Sequence, residues 1–338
     1  MNDRADFYTR ISECKLRPLW EVLDDLIPDE PKPKTQAMLW RYDAIRPFIL
    51  ESGRLITAQE AVRRVLVLEN PGLPDSSLIT SALYSGLQLI LPGEIASSHR
   101  HSQSALRFIV EGEGAYTAVD GERTIMHPGD FIITPSWTWH DHGNESQEPV
   151  VWLDGLDVPI VALFDAQFAE RYPEQMQQIA RAEGDSEARW ASNMQPLTHE
   201  HRRRASPIFN YPYVTSRAAL AKLMADGMMD AARGVKMRYI NPLTGGWAMP
   251  TIGTFLQLLP KGFAGRPHRA TDAAVYCCAE GEGSATIAGK RFDWGPHDVF
   301  VVPSWQMLEL SASAESVLFS FSDRPVQEAL DLLREEVA

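Results

Sequence analysis

Cysteine is scarce: three residues in 338, Cys14 and the adjacent pair Cys277 and Cys278. Thiols at that spacing make neither a disulfide framework nor a zinc-finger ligand set, and they suit a reducing cytoplasm. No run approaches the roughly eighteen apolar residues of a membrane span. The N-terminal MNDRADFYTR lacks an apolar h-region, so a standard secretory signal is not expected either. Positive charge is in deficit, because 32 Lys and Arg against 45 Asp and Glu leave a net charge of −13. That balance repels polyanions and makes nucleic acid and anionic membrane poor partners. The one dense basic run, Arg202 to Arg204, is too short to reverse it and reads as a solvated loop. Flavin, nicotinamide and iron–sulfur motifs are missing as well, so redox chemistry here would draw its electrons from the substrate.

What is present alternates between two textures. Residues 1–60 carry apolar positions at helical spacing (Phe7, Ile11, Leu19, Trp20, Leu23, Leu26) and read as a helical arm. Residues 61–160 break into short β-type runs separated by Gly, Pro, Asp and Asn, the pattern of a sandwich or barrel. Residues 161–250 read as a helical and irregular linker, 251–322 as a second β domain, and 323–338 as an amphipathic helix. In that helix Pro325 suits the first turn, and Val326, Ala329, Leu330, Leu333 and Val337 line one face.

The two β domains are copies. Gly93 and His99 recur as Gly262 and His268, EGEG at 111–114 recurs at 280–283, and PSW at 135–137 recurs at 303–305, with offsets of 169, 169 and 168 residues. Three ordered matches in one register indicate an internal duplication.

Chemistry concentrates in the first copy. His99 and His101 lie two apart, so on a strand they share a face, and His140 follows a PSWTWH turn from which a neighbouring strand can bring it alongside. Three neutral imidazoles suit Fe, Mn, Ni, Cu or Zn. The run Gly93, His99, His101, Gly112, then Gly129, Pro135, His140, Asn144 matches the two-part pattern G-x5-H-x-H-x3-E-x6-G and G-x5-P-x-G-x2-H-x3-N. This resembles the cupin signature, and the duplication makes the chain resemble a bicupin: mainly β, two tandem jelly-roll barrels with a helical arm, linker and closing helix. Two positions depart from it. The carboxylate ligand falls on Ala105, and the Gly of P-x-G is Trp137. In the second copy the ligand positions read His268, Ala270 and Leu308, so that barrel is expected to hold no metal.

HRHSQSALRFIVEGEGAYTAVDGE, HPGDFIITPSWTWHDHGN and NPLTGGWAMPTI are similar to the gentisate 1,2-dioxygenase family, which includes salicylate and 1-hydroxy-2-naphthoate dioxygenases. The resemblance spans nearly the whole chain. It implies a homotetrameric, extradiol-type oxidoreductase with one Fe(II) per chain on His99, His101 and His140. Such an enzyme takes a small aromatic acid and O2, and converts gentisate to maleylpyruvate. A non-catalytic bicupin that stores or senses a ligand is the rival from another class.

Parity adds candidates around the metal. If the strand stays regular beyond His101, Gln103, Ala105 and Arg107 also face inward. An inward arginine suits a substrate carboxylate, with an ion pair to Glu111 or Asp154 as the structural alternative. His142 shares the face of His140. Tyr84, Gly86 and Gln88 share a face of YSGLQLI, where Gly86 would leave room for a flat ring. Asp154 and Arg63 complete the set: His142, Arg107 and Asp154 as catalytic residues, and Arg107, Gln88, Tyr84, Gly86 and Arg63 as substrate contacts.

Overall fold

The computed structural model describes residues 3–198 and 203–338, so Arg202 lies outside the described residues. The chain divides into two compact units, one ending at Pro33 and one beginning at Lys34. In the first, α1 (Asp3–Glu13) and α2 (Leu23–Leu26) flank a turn. Arg4 Nη2 and Tyr8 Oη both donate to Glu21 there at 2.6 Å. Leu19, Trp20, Leu26 and Ile27 of this unit are exposed.

The larger unit begins with β1 (Met38–Trp40), α3 (Tyr42–Leu55), α4 (Ala58–Ala61) and β2 (Val65–Val67). The first copy then runs through β3 (Tyr84–Ile90), β4 (Ile95–His101), β5 (Ala105–Glu111), β6 (Ala115–Val119), β7 (Glu122–Ile125), β8 (Phe131–Thr134), β9 (His140–Asn144), β10 (Val150–Leu156), α5 (Val158–Leu163) and β11 (Ala169–Arg171). Between the copies lie α6 (Asp185–Trp190), β12 (Asn210–Tyr211), α7 (Tyr213–Ala225) and β13 (Val235–Arg238). The second copy repeats the series as β14 (Gly253–Leu259), β15 (His268–Ala270), β16 (Ala274–Glu280), β17 (Gly283–Ile287), β18 (Lys290–Trp294), β19 (Val299–Val302), β20 (Leu308–Ala312), β21 (Ser316–Ser322), α8 (Arg324–Ala329) and β22 (Glu335–Val337). No helix among the described residues is long and apolar enough to cross a membrane.

Each copy folds as two facing sheets. The first pairs β12-β8-β5-β10-β3-β2 with β11-β4-β9-β6-β7, and the second pairs β1-β19-β16-β21-β14-β13 with β18-β17-β20-β15-β22. Alternation along the strands separates two kinds of core. Inward residues such as Ile109, Ile132, Val150 and Trp152 fill the first barrel, and Tyr276, Ile287, Phe300 and Leu318 fill the second. Outward residues of the two large sheets meet each other, with Phe108 stacked on Phe319 at 4.2 Å between centroids. The repeated EGEG has a backbone reason. Gly112 and Gly281 sit at φ +79° and +81°, and a Cβ at Gly112 would lie 2.3 Å from the Pro149 carbonyl oxygen.

Three expectations are corrected. The closing helix expected over 323–338 runs only Arg324–Ala329, after which Glu335–Val337 pairs with β15 as an edge strand. Pro325 does sit in the first turn of α8. This ending repeats the first copy, where α5 is followed by β11 against β4. The stretch 161–250 is more than a linker, since β11, β12 and β13 each cover a sheet edge. These strands are short and partly polar, so they carry no alternation to read. Likewise β1, inside the supposed helical arm, pairs with β19.

Candidate active site

A bulge creates the histidine cluster. Along β4 and β9, Ala96 faces His142, and the register then slips so that His99 faces His140. The extra residue turns His99 and His101 to the same side as His140. Ring centroids are 5.3 Å apart for His99 and His101, 4.4 Å for His99 and His140, and 4.8 Å for His101 and His140. One nitrogen from each ring falls within 4.8 Å of the others, a group that could hold a metal ion. Ala105, at the usual carboxylate position, is buried and contributes no ligand.

The imidazoles are prepared for a metal in charge and tautomer. Burial, reinforced by Arg63, holds His99 down to about 3, burial holds His101 at about 4, and His140 lies well below its ordinary value. All three are therefore neutral near pH 7, as ligation requires. Nδ1 of His101 lies 2.8 Å from the Gln103 carbonyl, and Nδ1 of His140 lies 3.0 Å from that of Thr138. Donation to those carbonyls puts the proton on Nδ1 and leaves Nε2 with its lone pair. At His99 the guanidinium of Arg63 intrudes, with Nη2 2.6 Å from Nδ1 and 2.8 Å from the Ser97 carbonyl.

Arg107 does enter the barrel, but not by the expected route. The chain turns at 102–104, and Arg107 belongs to β5 of the opposite sheet. There it faces Asp154 on β10, and Asp154 faces Gly86 on β3. Arg107 is 3% exposed and its Nη1 donates to Thr134 Oγ1 at 2.6 Å. Its Nε is 3.8 Å from Asp154 Oδ1, beyond hydrogen-bond reach, and has no partner. The alternative partner Glu111 is bound instead by Arg46 and Tyr42. Asp154 accepts from Trp152 Nε1 at 2.9 Å, yet burial outweighs Arg107 and raises its carboxyl to about 6.

His142 is fully buried, with its ring centroid 5.8 Å from that of His140. Its Nδ1 is 2.9 Å from Thr117 Oγ1, which also lies 3.2 Å from Met126 Sδ. The thioether can only accept, so the hydroxyl donates to Met126 Sδ and accepts from His142 Nδ1–H. The ring nitrogen Nε2 then keeps its lone pair and is buried without a partner. Tyr84 and Gln88 sit two strand positions on either side of Gly86 on β3, with Tyr84 opposite Leu156 and Gln88 opposite Trp152 on β10. The room expected beside Gly86 is filled, since a Cβ there would lie 2.5 Å from Val65 Cγ1. Gly86 thus admits β2 rather than opening space. Trp137 and Trp139 flank the Arg100 guanidinium at 4.6 and 4.5 Å, which makes them packing residues.

Residues 86–157 match the cupin domain family. Over 333 residues, 98% of this chain and 96% of the relative, the sequence is 53% identical to gentisate 1,2 dioxygenase 1 of Aquipseudomonas alcaligenes. The chain belongs to the gentisate 1,2-dioxygenase family. It is also 37% identical to the gentisate 1,2-dioxygenase of a Streptomyces species, over 97% of this chain and 94% of that one. The fold superposes with a TM-score of 0.95 on salicylate 1,2-dioxygenase from Pseudoaminobacter salicylatoxidans in its gentisate adduct, at 34% identity and covering 100% and 94% of the two chains. For this dioxygenase family member, sequence reasoning missed Thr117, Thr134 and Trp152, which orient His142, Arg107 and Asp154. Inward parity on β6, β8 and β10 was their only signal.

Proposed function

We propose that the enzyme is an Fe(II)-dependent dioxygenase that opens the ring of gentisate (2,5-dihydroxybenzoate) with O2 to give maleylpyruvate. The observation that carries this reading is the meeting, in one barrel, of three neutral histidines on one sheet and a buried, under-bonded arginine on the facing sheet. A ferrous ion on His99, His101 and His140 would supply the electron transfer between a chelated hydroxy-acid and O2. The protein's own groups position and polarise. Arg107 offers its free N–H groups to the substrate carboxylate, and Asp154 and Thr134 fix the angle of that guanidinium. Arg63 is a second cation at the cluster. With Nε2 of His99 as the metal donor, its Nδ1 would carry the proton toward the Ser97 carbonyl, 3.3 Å away, and the Arg63 guanidinium would be free to face substrate. His142 is proposed to offer its partnerless Nε2 as an acceptor for a substrate hydroxyl. Tyr84 and Gln88 are proposed to border the ring.

Gentisate is preferred to salicylate because a hydroxyl para to the chelating one enriches the ring in electrons and eases their transfer to O2. Salicylate is the second reading, favoured by the superposition on a salicylate enzyme. Oxygen uptake by Fe(II)-loaded protein with gentisate, salicylate and 1-hydroxy-2-naphthoate in parallel tests both. Gentisate should lead in kcat/KM by at least about tenfold. Equal turnover of salicylate would overturn the substrate assignment, and no uptake with any of them would favour a ligand-binding bicupin. We also place the enzyme in the cytoplasm as a homotetramer, a reading supported by its three free thiols and by the exposed apolar side chains before Pro33.

A further inference from the structure

The second barrel has lost its ligands but not its polarity. At the end where the first barrel holds histidines, a cavity of about 50 Å³ is lined by Lys236, Phe255, His268, Tyr276, Ser320 and Arg324, among others. One water needs roughly 10–15 Å³ by this measure, so the space takes a group of roughly three to five heavy atoms.

Register shows what was exchanged. Arg107 faces Asp154 in the first barrel, and at the matching place in the second Tyr276 faces Ser320. Val65 faces Gln88 in the first, and Lys236 faces Gln257 in the second. The guanidinium and carboxylate have given way to two hydroxyls, and an ammonium has entered from the next strand. Lys236 Nζ lies 4.5 Å from the Phe255 ring centroid and 3.3 Å from Tyr276 Oη. No carboxylate pairs with it among the described residues. The acids nearby are engaged elsewhere, since Glu335 pairs with Arg233 and Arg324, and Asp272 accepts from Ser322. Ser320 is 1% exposed and its Oγ has no partner. A partly buried ammonium without a counter-ion, beside an unsatisfied buried hydroxyl, is complementary to an anion.

We propose that the second barrel binds a small oxyanion, no larger than acetate or phosphate, between the Lys236 ammonium and the hydroxyls of Tyr276 and Ser320. An aromatic acid is too large for this space, so the site differs from the substrate site. With only His268 left of the three ligands, it is not a metal site either.

The test is 19F NMR titration of fluoroacetate, which has five heavy atoms like phosphate, into the full-length protein carrying Arg107→Met, so that the first barrel's guanidinium does not compete. Saturable binding should persist in that protein. It should weaken at least about tenfold when Lys236→Met is added, and survive when Lys236→Arg is added instead. Acetate or phosphate should displace the probe, and whichever does so more strongly identifies the source as carboxylate or inorganic oxyanion. Displacement by benzoate would overturn the size argument. Absence of saturable binding, or equal binding with and without Lys236, would overturn the site.

Discussion

Replacing Arg107 by methionine separates substrate binding from structure. Arg107 is 3% exposed, so any contact it makes with a carboxylate is made away from water. Its only hydrogen bond to the described protein is the one to Thr134, and its Nε has none. Loss of a charge-assisted, two-pronged contact in such a place costs about 2–4 kcal/mol, or about 30- to 1,000-fold in kcat/KM for gentisate. The fold should survive. One hydrogen bond worth about 1 kcal/mol is lost, but an unsatisfied buried N–H disappears with it. Asp154, already raised to about 6 with Arg107 beside it, shifts further upward, and its readier protonation limits the cost of leaving it unpaired. The experiment measures steady-state O2 uptake, bound metal and the thermal midpoint together. A steep fall in kcat/KM with metal content and midpoint retained is expected. Loss of metal or of the fold would make Arg107 structural, and a change in kcat/KM below about threefold would refute the carboxylate contact.

Three other outcomes follow from the same geometry. In the metal-free protein Asp154 binds its proton more tightly folded, at about 6, than unfolded, near 3.8, so its own contribution to stability is greatest below pH 3.8 and declines as pH rises through 6. The decline is about 3 kcal/mol, and in urea unfolding Asp154→Asn should exceed wild type at pH 8 but not at pH 4; an equal gap at both would refute it. His140→Ala should remove most of the single metal equivalent measured by elemental analysis, and chelation of the wild type should abolish O2 uptake until Fe(II) is restored. Two tight equivalents would contradict the loss of ligands at Ala270 and Leu308. Phe108→Ala, which empties the stack on Phe319, should cost about 3–5 kcal/mol in thermal unfolding, and a cost below about 1 would mean that the two barrels do not share that core.

The duplication and the three histidines were legible because both depend on residue identity at fixed spacing. Facing was legible only within a strand. Arg107 was placed inside by extending the parity of His101 through a stretch that in fact turns into the opposite sheet. The inward direction survived because the turn spans three residues, 102–104, and β5 happens to resume in phase. Thr117, Thr134 and Trp152 were out of reach because their roles depend on which strands lie side by side, and pairing is not written in any one strand. The closing helix was misread because apolar residues at helical spacing continue past Ala329 while the backbone does not. The repeat held the answer: Asp157-Val-Pro before α5 recurs as Asp323-Arg-Pro before α8. In each, the Asp Oδ1 accepts a backbone N–H, from Ser104 at 2.8 Å and from Ala273 at 2.9 Å.

Comparison of the copies also separates what the fold needs from what the chemistry needs. Trp137 and Trp305 both stand at φ +60°, a left-handed conformation that costs a side-chain-bearing residue about 1–2 kcal/mol and that glycine adopts freely. Each donates its backbone N–H back to β4 or β15, to the carbonyl of His101 at 2.8 Å and of Ala270 at 2.7 Å. Each indole also packs under an arginine, Arg100 at 4.6 Å and Arg269 at 4.3 Å. Those arginines in turn pair with Glu170 and Glu336 on the edge strands β11 and β22. The whole assembly recurs around a barrel that keeps only His268 of the three ligand positions, so a metal cannot be its reason. It fastens the last strand of each copy across the barrel mouth, and the cation stacked on the indole offsets the backbone strain. Against that shared frame, the differences fall on inward positions: His101 to Ala270, His140 to Leu308, Arg107 to Tyr276 and Asp154 to Ser320. The two copies therefore differ in a few inward side chains on a frame that stands without them.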